Sequence, residues 1–455
     1  MYDCLFMVPA ETGIPLMSDI HPFRGVRYNQ TIIRDLARVV CPPYDIIPPH
    51  VQSALCERSE HNFIRLEHAR SLPQDTASEN KYTRSASTLA HWLAQGILTV
   101  DEAPAVYLHD HYFPYQGQEY RRRGIIALVR LEEWDRRVIR PHEGTLANPK
   151  SDRLALLRAL QADTSSILAL FEDADQRIAS VLTAKEKDEP LIHFSTDSGE
   201  KHLLWAITEA DMLAQIQRNL AQRPLYIADG HHRYESALAY RQEQHKKPVK
   251  TSRDEGFDFV MMTLVDFADP GLVILPLHRL VRGLPAKKMD DIWNGLNSFF
   301  QIQDLPFDSP DVWSKVNAFL TEEAGQENIA LIGTSGKNLL LLKPRDFASL
   351  KKFMPGSRSE QYQRLTVSIL DHVILEKLLG LKLEREAAAL AYSYDQLDAA
   401  NMVLSGEYQM AFLISPIKAD VIKRIADVGD RMPRKSTYFY PKLPSGLVFY
   451  RMADN

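Results

Sequence analysis

Apolar residues recur along the chain at two spacings. Leu89, Trp92 and Leu93 lie three or four positions apart or adjacent, which predicts a helix over about 77–95 that stops at Gly96. Ala105 to Phe113 and Arg123 to Leu131 alternate instead, predicting two strands with a hairpin turn at Gln116-Gly117. The stretch DRLALLRALQA over 152–162 is amphipathic at helical period, with Asp152 near its start. Short strands are predicted at 203–208 and 225–228, and a helix at 234–245. The second half repeats the mixture, with helices at 290–299, 312–323 and 367–379 and strands at 410–414 and 447–450. A hairpin is expected over 329–342, turning at Thr334-Ser335-Gly336. The pattern is α+β throughout, without an internal repeat of solenoid period or a low-complexity block. The polar segment 243–255 (EQHKKPVKTSRDE) is the best interior boundary, giving an extension over 1–18, a domain over 19–250 and a second α+β domain over 251–455.

Composition narrows the class. The 455 residues suffice for two or three domains of ~100–200 residues each. Lys and Arg number 54 against 59 Asp and Glu, and this balance argues against a dedicated nucleic-acid binder. Cys4, Cys41 and Cys56 form no CxxC pair and no zinc spacing, which fits a reducing, cytoplasmic setting. No apolar run reaches the ~18 residues of a membrane helix, and no basic segment opens the chain as a secretory signal would. Met17 is an alternative start.

Chemistry concentrates in four places. In Ile227-Ala228-Asp229-Gly230-His231-His232-Arg233-Tyr234 a short apolar run enters an Asp-Gly turn, and a basic cluster then opens a helix. Gly230 lets the backbone turn sharply and approach a ligand. The first N–H groups of a helix lack intrahelical partners and form an anion site. His231, His232 and Arg233 add donors, and Arg233 can grip a phosphate through two parallel hydrogen bonds. Asp229 is a candidate Mg2+ ligand or orienting group. The bland alternative is a turn with a solvated basic helix start; two histidines and an arginine at one junction favour function.

The second place is Arg140-Pro141-His142-Glu143-Gly144-Thr145 followed by Pro149-Lys150-Ser151-Asp152-Arg153. Pro141 and Gly144 bracket a constrained pair in which Glu143 is a candidate base for a substrate hydroxyl, tuned by His142 or a metal. Lys150 and Arg153 are candidates for neutralising phosphate, while Asp152 serves equally well as a helix-start residue. The third is Cys41-Pro42-Pro43-Tyr44-Asp45, a stiff loop offering Asp45 as a secondary metal ligand or second base. Tyr44, His142 and Thr145 are candidate substrate contacts, and no feature predicts a lowered Cys41 pKa. The fourth is Arg431 to Lys442 (RMPRKSTYFYPK), either an anion- or substrate-binding turn through Lys435, Ser436 and Thr437 or a surface strand with snorkelling cations.

Two further signals point away from sites. Gly333 to Lys337 ends like a phosphate-binding P-loop, but Leu331 and Asn338 occupy its required positions, so a hairpin turn is expected. His109 and His111 lie two apart on a predicted strand with no third ligand in view, so a solvated strand face is expected.

Five stretches, HPFRGVRYN (21–29), PPYD (42–45), PHEGT (141–145), DGHHRY (229–234) and MPRKSTYFYPK (432–442), stand in the order seen in domain-of-unknown-function family 1015, also labelled ParB-like. The chain resembles that family from about Asp19 to its C-terminus, departing at Arg434, where a small or polar residue is usual, and in its N-terminal extension. The resemblance implies a ParB/sulfiredoxin-like fold for the N-terminal domain. The DGHHR element is also similar to the phosphate-binding motif of ParB/sulfiredoxin-like free-serine kinases. By that resemblance Glu143 is the base, Gly230, His231, His232 and Arg233 hold phosphates, and Asp229 assists substrate or metal. It implies a phosphotransferase that uses pyrophosphate or a nucleotide, with Mg2+, to phosphorylate free L-serine or a similar small alcohol, or the reverse phosphatase. The second domain would close over the site with Lys435, Ser436 and Thr437, and a homodimer is compatible with this reading. The rivals are a nucleotide-gated ParB-like DNA- or partner-binding module, and a sulfiredoxin-type redox protein using Cys41.

Overall fold

The computed structural model describes residues 18–247, 255–322, 327–333, 338–381 and 389–454. Ile167–Phe171 and Phe259–Asp266 are nearly unbroken apolar runs, buried along almost their whole length. Such strands belong inside a sheet covered on both faces. They pair in parallel within a mixed sheet that has nine strands among the described residues. Its order is Ile139–Pro141, Leu225–Asp229, Ile167–Phe171, Phe259–Asp266, Gln118–Arg130, Val106–Tyr115, Lys201–Ile207 and Ile192–Ser195, with Ile20–His21 joining Gln118–Arg130. The hairpin Val106–Tyr115/Gln118–Arg130 turns where expected, at Gln116 and Gly117, whose φ values of 47° and 77° are those a two-residue hairpin turn needs.

Helices cover both faces. Ile126 and Leu128 pack with Leu89 and Trp92 of Lys81–Ala94, while Ile125, Ala127 and Val129 pack with Val181 of Arg177–Lys185 and Ile216 of Ala210–Ala221. This is the period-two alternation of a strand between two cores.

The second sheet is antiparallel, in the order Phe300–Pro306, Asn338–Pro344, Ile329–Ile332, Met410–Ile414, His278–Val281 and Leu390–Ser393. The boundary expected at residue 250 does not separate the two sheets. Phe259–Asp266 lies within the first sheet, where its two apolar faces find cover. The segment around Tyr450 packs on the core of this first half: Tyr450 pairs with Asp163 and Phe449 bridges Val26, in short pairings apart from the nine-stranded sheet, and both rings join the cluster of Ile126 and Leu128. One buried cluster runs from Leu168, Tyr226 and Val265 of the first sheet to Leu331, Leu340 and Phe412 of the second.

Other expected elements fall near their places. The helices expected at 152 and 234 begin earlier, as Ala147–Leu160 and His231–His245. The helix at 367–379 winds as a π-helix over Leu370–Leu378. The strand expected at 447–450 reduces to Tyr450–Arg451. Residues 1–17, residues 248–254 of the polar segment and the turn Thr334-Ser335-Gly336 lie outside the described residues. No helix among the described residues is long and apolar enough to cross a membrane.

Candidate active site

Strand Leu225–Asp229 ends at Gly230, and the helix His231–His245 begins on the next residue. Gly230 has φ 97°, which favours glycine, and a Cβ there would lie 2.9 Å from Arg233 Nε, so a larger residue would push that guanidinium aside. It supplies no capping side chain, leaving the first N–H groups of the helix to a ligand. This junction lines a cavity of about 560 Å3. Residues far apart in sequence complete the wall: Tyr44 and Asp45, Glu143, Tyr392 and Tyr394, and Thr437, Tyr438 and Lys442.

Asp229 sits between two cations. Arg233 Nη2 donates to its Oδ2 at 2.6 Å, and Lys442 Nζ donates to Oδ1. Burial alone would raise the carboxyl pKa, but Lys442 and Arg233 outweigh it and hold the group well below the usual carboxylate range. Arg233 also donates from Nη1 to the Ser166 carbonyl at 2.6 Å, while its buried Nε has no partner among the described residues. Both Asp229 oxygens thus serve as counter-ions here, and the metal-ligand role expected for this residue would require one of the two cations to give way.

Glu143 lies across from this pair, in a concave turn near the chain end. Its Oε1 accepts the N–H groups of Ser436 at 3.0 Å and Thr437 at 3.3 Å, and the Thr437 hydroxyl lies 3.2 Å away, its single proton facing both Glu143 Oε1 and His142 Nε2. Its Oε2 accepts the Lys435 N–H at 3.2 Å. Lys435 has φ 60°, the left-handed step that lets successive N–H groups converge on one anion.

Three histidines position that loop. His142 is fully buried, with Nδ1 2.6 Å from the Ile227 carbonyl and Nε2 3.0 Å from Thr437 Oγ1. A carbonyl only accepts, so Nδ1 carries the proton. Burial pushes the ring's pKa below its ordinary value, against the pull of Glu143, and keeps it neutral. His231 Nε2 accepts the N–H groups of His142 at 3.3 Å and Glu143 at 3.4 Å. His232 Nε2 accepts the Leu146 N–H at 2.9 Å. Burial pushes both of these rings down too, His231 well down. Both line the cavity, with Nε2 committed to the Glu143 loop and an Nδ1–H left over.

Several expected site residues stand elsewhere. Arg153 lies over the Tyr44 ring at 3.9 Å, donates to Asp152 and the Glu67 carbonyl, and is off the cavity wall. Lys150 and Thr145 both bind Glu235, at 3.3 and 2.6 Å. The Ser436 hydroxyl is buried and donates to the Pro433 carbonyl, so Ser436 acts through its backbone. His142 positions rather than touches a ligand, because it is fully buried behind the wall. Cys41 is buried, burial pushes its thiol well up, and it is off the wall, all against a redox role. His109 and His111 are buried rather than solvated.

Sequence reasoning missed Lys442, Tyr392, Tyr394 and Tyr438 as individual site residues. Lys442 and Tyr438 stood inside the quoted MPRKSTYFYPK stretch, and their aromatic-cation pattern was the available signal. The Lys442 ammonium lies 4.8 Å from the Tyr438 ring, and Tyr394 stacks on Tyr438 at 4.6 Å. Nothing local marks Tyr392 and Tyr394, which arrive through the edge strand of the second sheet.

Fold and site together define an α+β protein with a cation-lined strand-to-helix junction facing a carboxylate held by a backbone turn. The chain belongs to the family described as Protein of unknown function (DUF1015), whose profile matches residues 20–373. No curated protein matches it. Among solved structures it is similar to a conserved hypothetical protein from Pyrococcus furiosus, at 14% identity and TM-score 0.34 over 73% of this chain and 97% of that one. It is also similar to a free serine kinase in complex with AMP, at 14% identity and TM-score 0.34 over 71% and 92%. SbnI from Staphylococcus aureus, with a C-terminal truncation, matches at 10% identity and TM-score 0.34 over 72% and 88%.

Proposed function

We propose that this protein is a phosphotransferase that moves a phosphoryl group from a nucleotide to the hydroxyl of a small alcohol, with free L-serine the first acceptor to test. The observation that carries the reading is the meeting of the Gly230–Arg233 helix start, Lys442 and the Glu143 carboxylate on one cavity wall. The cavity, about 560 Å3, falls within the roughly 300–1,000 Å3 of small-molecule sites. Arg233, Arg434, Lys435 and Lys442 line it against the carboxylates Asp45, Glu143 and Asp229, a cationic surplus suited to a polyphosphate.

Phosphoryl transfer asks a protein mainly for positioning and charge stabilisation. The helix N–H groups, the unpartnered Arg233 Nε and Lys442 are placed to hold the donor's phosphates. Glu143 Oε2 accepts a single N–H and keeps a lone pair for the acceptor hydroxyl proton. As that proton passes to Glu143, the alcohol oxygen bonds to the terminal phosphorus and the bond to the leaving phosphate oxygen breaks. Asp45, exposed on the wall with no ion pair among the described residues, is the carboxylate that would hold Mg2+, whose chemistry is to offset phosphate charge. Tyr394 and Tyr438, stacked face to face, favour a nucleotide over pyrophosphate because a base can extend such a stack.

Phosphorus NMR on the full chain with L-serine and Mg2+, with ADP, ATP, CTP and pyrophosphate supplied separately, tests the reading. Phosphoserine from one donor, abolished by Glu143→Gln, is the expected result. A donor bound or hydrolysed with no phosphorylated acceptor would replace the kinase reading with that of a nucleotide-binding switch.

A further inference from the structure

His111 and His202 stand directly opposite each other on neighbouring strands of the first sheet, their ring centroids 4.2 Å apart. Glu200, two residues before His202, turns back to the same point: its Oε2 is 2.7 Å from His111 Nε2 and 3.9 Å from His202 Nε2. One donor atom from each of the three lies within 4.8 Å of the others. A tetrahedral ion with bonds of ~2.0–2.1 Å holds its donors roughly 3.4 Å apart, so shifts of about 1 Å or less would complete the set.

We propose that His111, His202 and Glu200 form a binding site for one divalent transition-metal ion, zinc or a close neighbour, which ties the hairpin of residues 192–207 to the strand Val106–Tyr115. Two imidazoles and a carboxylate are a donor set that zinc accepts, with a fourth place for water. His109 supplies the supporting layer. Its Nε2 is 3.1 Å from His202 Nδ1, the hydrogen bond from the far nitrogen that typically orients a ligating ring. The Glu200 side chain is 25% exposed against 1% for each ligating histidine, giving the ion an entry path at the hairpin edge. A packing role alone would be better met by apolar residues, which bury no imidazole.

Arg122 sets the cost of loading. Its Nη2 donates to His111 Nδ1 at 3.2 Å, so the His111 proton sits on Nε2 and faces Glu200. Binding moves that proton to Nδ1, and Arg122 Nη2 swings away while Nη1 keeps the Tyr440 carbonyl at 3.4 Å.

The test is a titration of chelator-treated full-length protein with Co(II), followed by displacement with Zn(II). One ion per chain, with the visible bands of four-coordinate Co(II), is expected. Glu200→Gln and His202→Gln should weaken it roughly tenfold or more, and Asp229→Asn, on the cavity, should leave it unchanged. Zn(II) should raise the melting temperature of the native protein but not of Glu200→Gln, the partly exposed position least able to disturb folding. Absence of binding to the native protein, or affinity unchanged in a folded Glu200→Gln variant, overturns the proposal.

Discussion

Arg279 and Glu143 grip opposite edges of the same turn. Arg279 Nη1 donates to the Lys435 carbonyl at 2.9 Å and Nη2 to the Arg434 carbonyl at 3.5 Å. The N–H groups of those same two peptide units, on Ser436 and Lys435, donate to Glu143. Each peptide is polarised from both ends, which strengthens both sets of bonds. Arg279 is itself buried and faces Asp371 of the π-helical segment at 3.3 Å. The second sheet thereby fixes where a carboxylate on the first half sits.

Removing Arg279 should be costly. Arg279→Met leaves Asp371 buried beside no cation and should destabilise the fold by about 3–5 kcal/mol. Arg279→Met combined with Asp371→Leu should lose much less than the sum of the single variants, as read from urea unfolding. Simple additivity would show that the pair is not coupled.

Gly230→Ala should fail for two reasons at once. A non-glycine residue in the left-handed region costs roughly 1–2 kcal/mol. The added methyl also meets the Arg233 guanidinium, so the variant should displace Arg233 from Asp229. Thermal unfolding and nucleotide affinity should both fall; an unchanged affinity would remove the junction from the site.

The tyrosine wall separates donors. Tyr438→Ala and Tyr394→Ala should each weaken nucleotide binding by about 1–3 kcal/mol, the worth of one base stack, and leave pyrophosphate binding unchanged. Calorimetric titration of both ligands decides it, and equal losses for the two would refute stacking.

His278 predicts an acid-sensitive step outside the site. Burial, with help from Arg279, pushes its pKa down to about 4, while its Nδ1 accepts the Ile414 N–H. The unfolded chain protonates near the ordinary ~6.5, so protons favour unfolding below that pH. The stability His278 allows is fully present above about 6.5 and is lost as pH falls toward 4, by about 3 kcal/mol at most. Urea unfolding at pH 7 and 4.5 should show a smaller drop in His278→Gln than in the native protein; equal drops would assign the acid sensitivity elsewhere.

Local chemistry settled a good deal from the sequence. The Gln116-Gly117 hairpin, the strand-to-helix junction at Gly230 and helices such as Lys81–Ala94 and Ala147–Leu160 were legible because backbone preference and apolar period are properties of neighbouring residues, whereas Pro49–Arg58, Arg177–Lys185, Ala210–Ala221, Gln396–Leu404 and Ala419–Asp427 were not predicted. The motifs at Asp45, Glu143, Asp229 and Thr437 could be picked out one by one, and they do share a cavity. Their partners could not be read. Whether Arg153 faced a phosphate or the Glu67 carbonyl, whether Asp229 was free for a metal or matched to Lys442, and whether His109 and His111 met solvent or His202 each depended on a residue about 90 to more than 200 positions away or on how the strands register. Phe259–Asp266 was not predicted as a strand, and its place in the first sheet is set by the neighbours that cover both of its faces. Periodicity records which residues must leave water; only the packed chain decides what each one meets when it does.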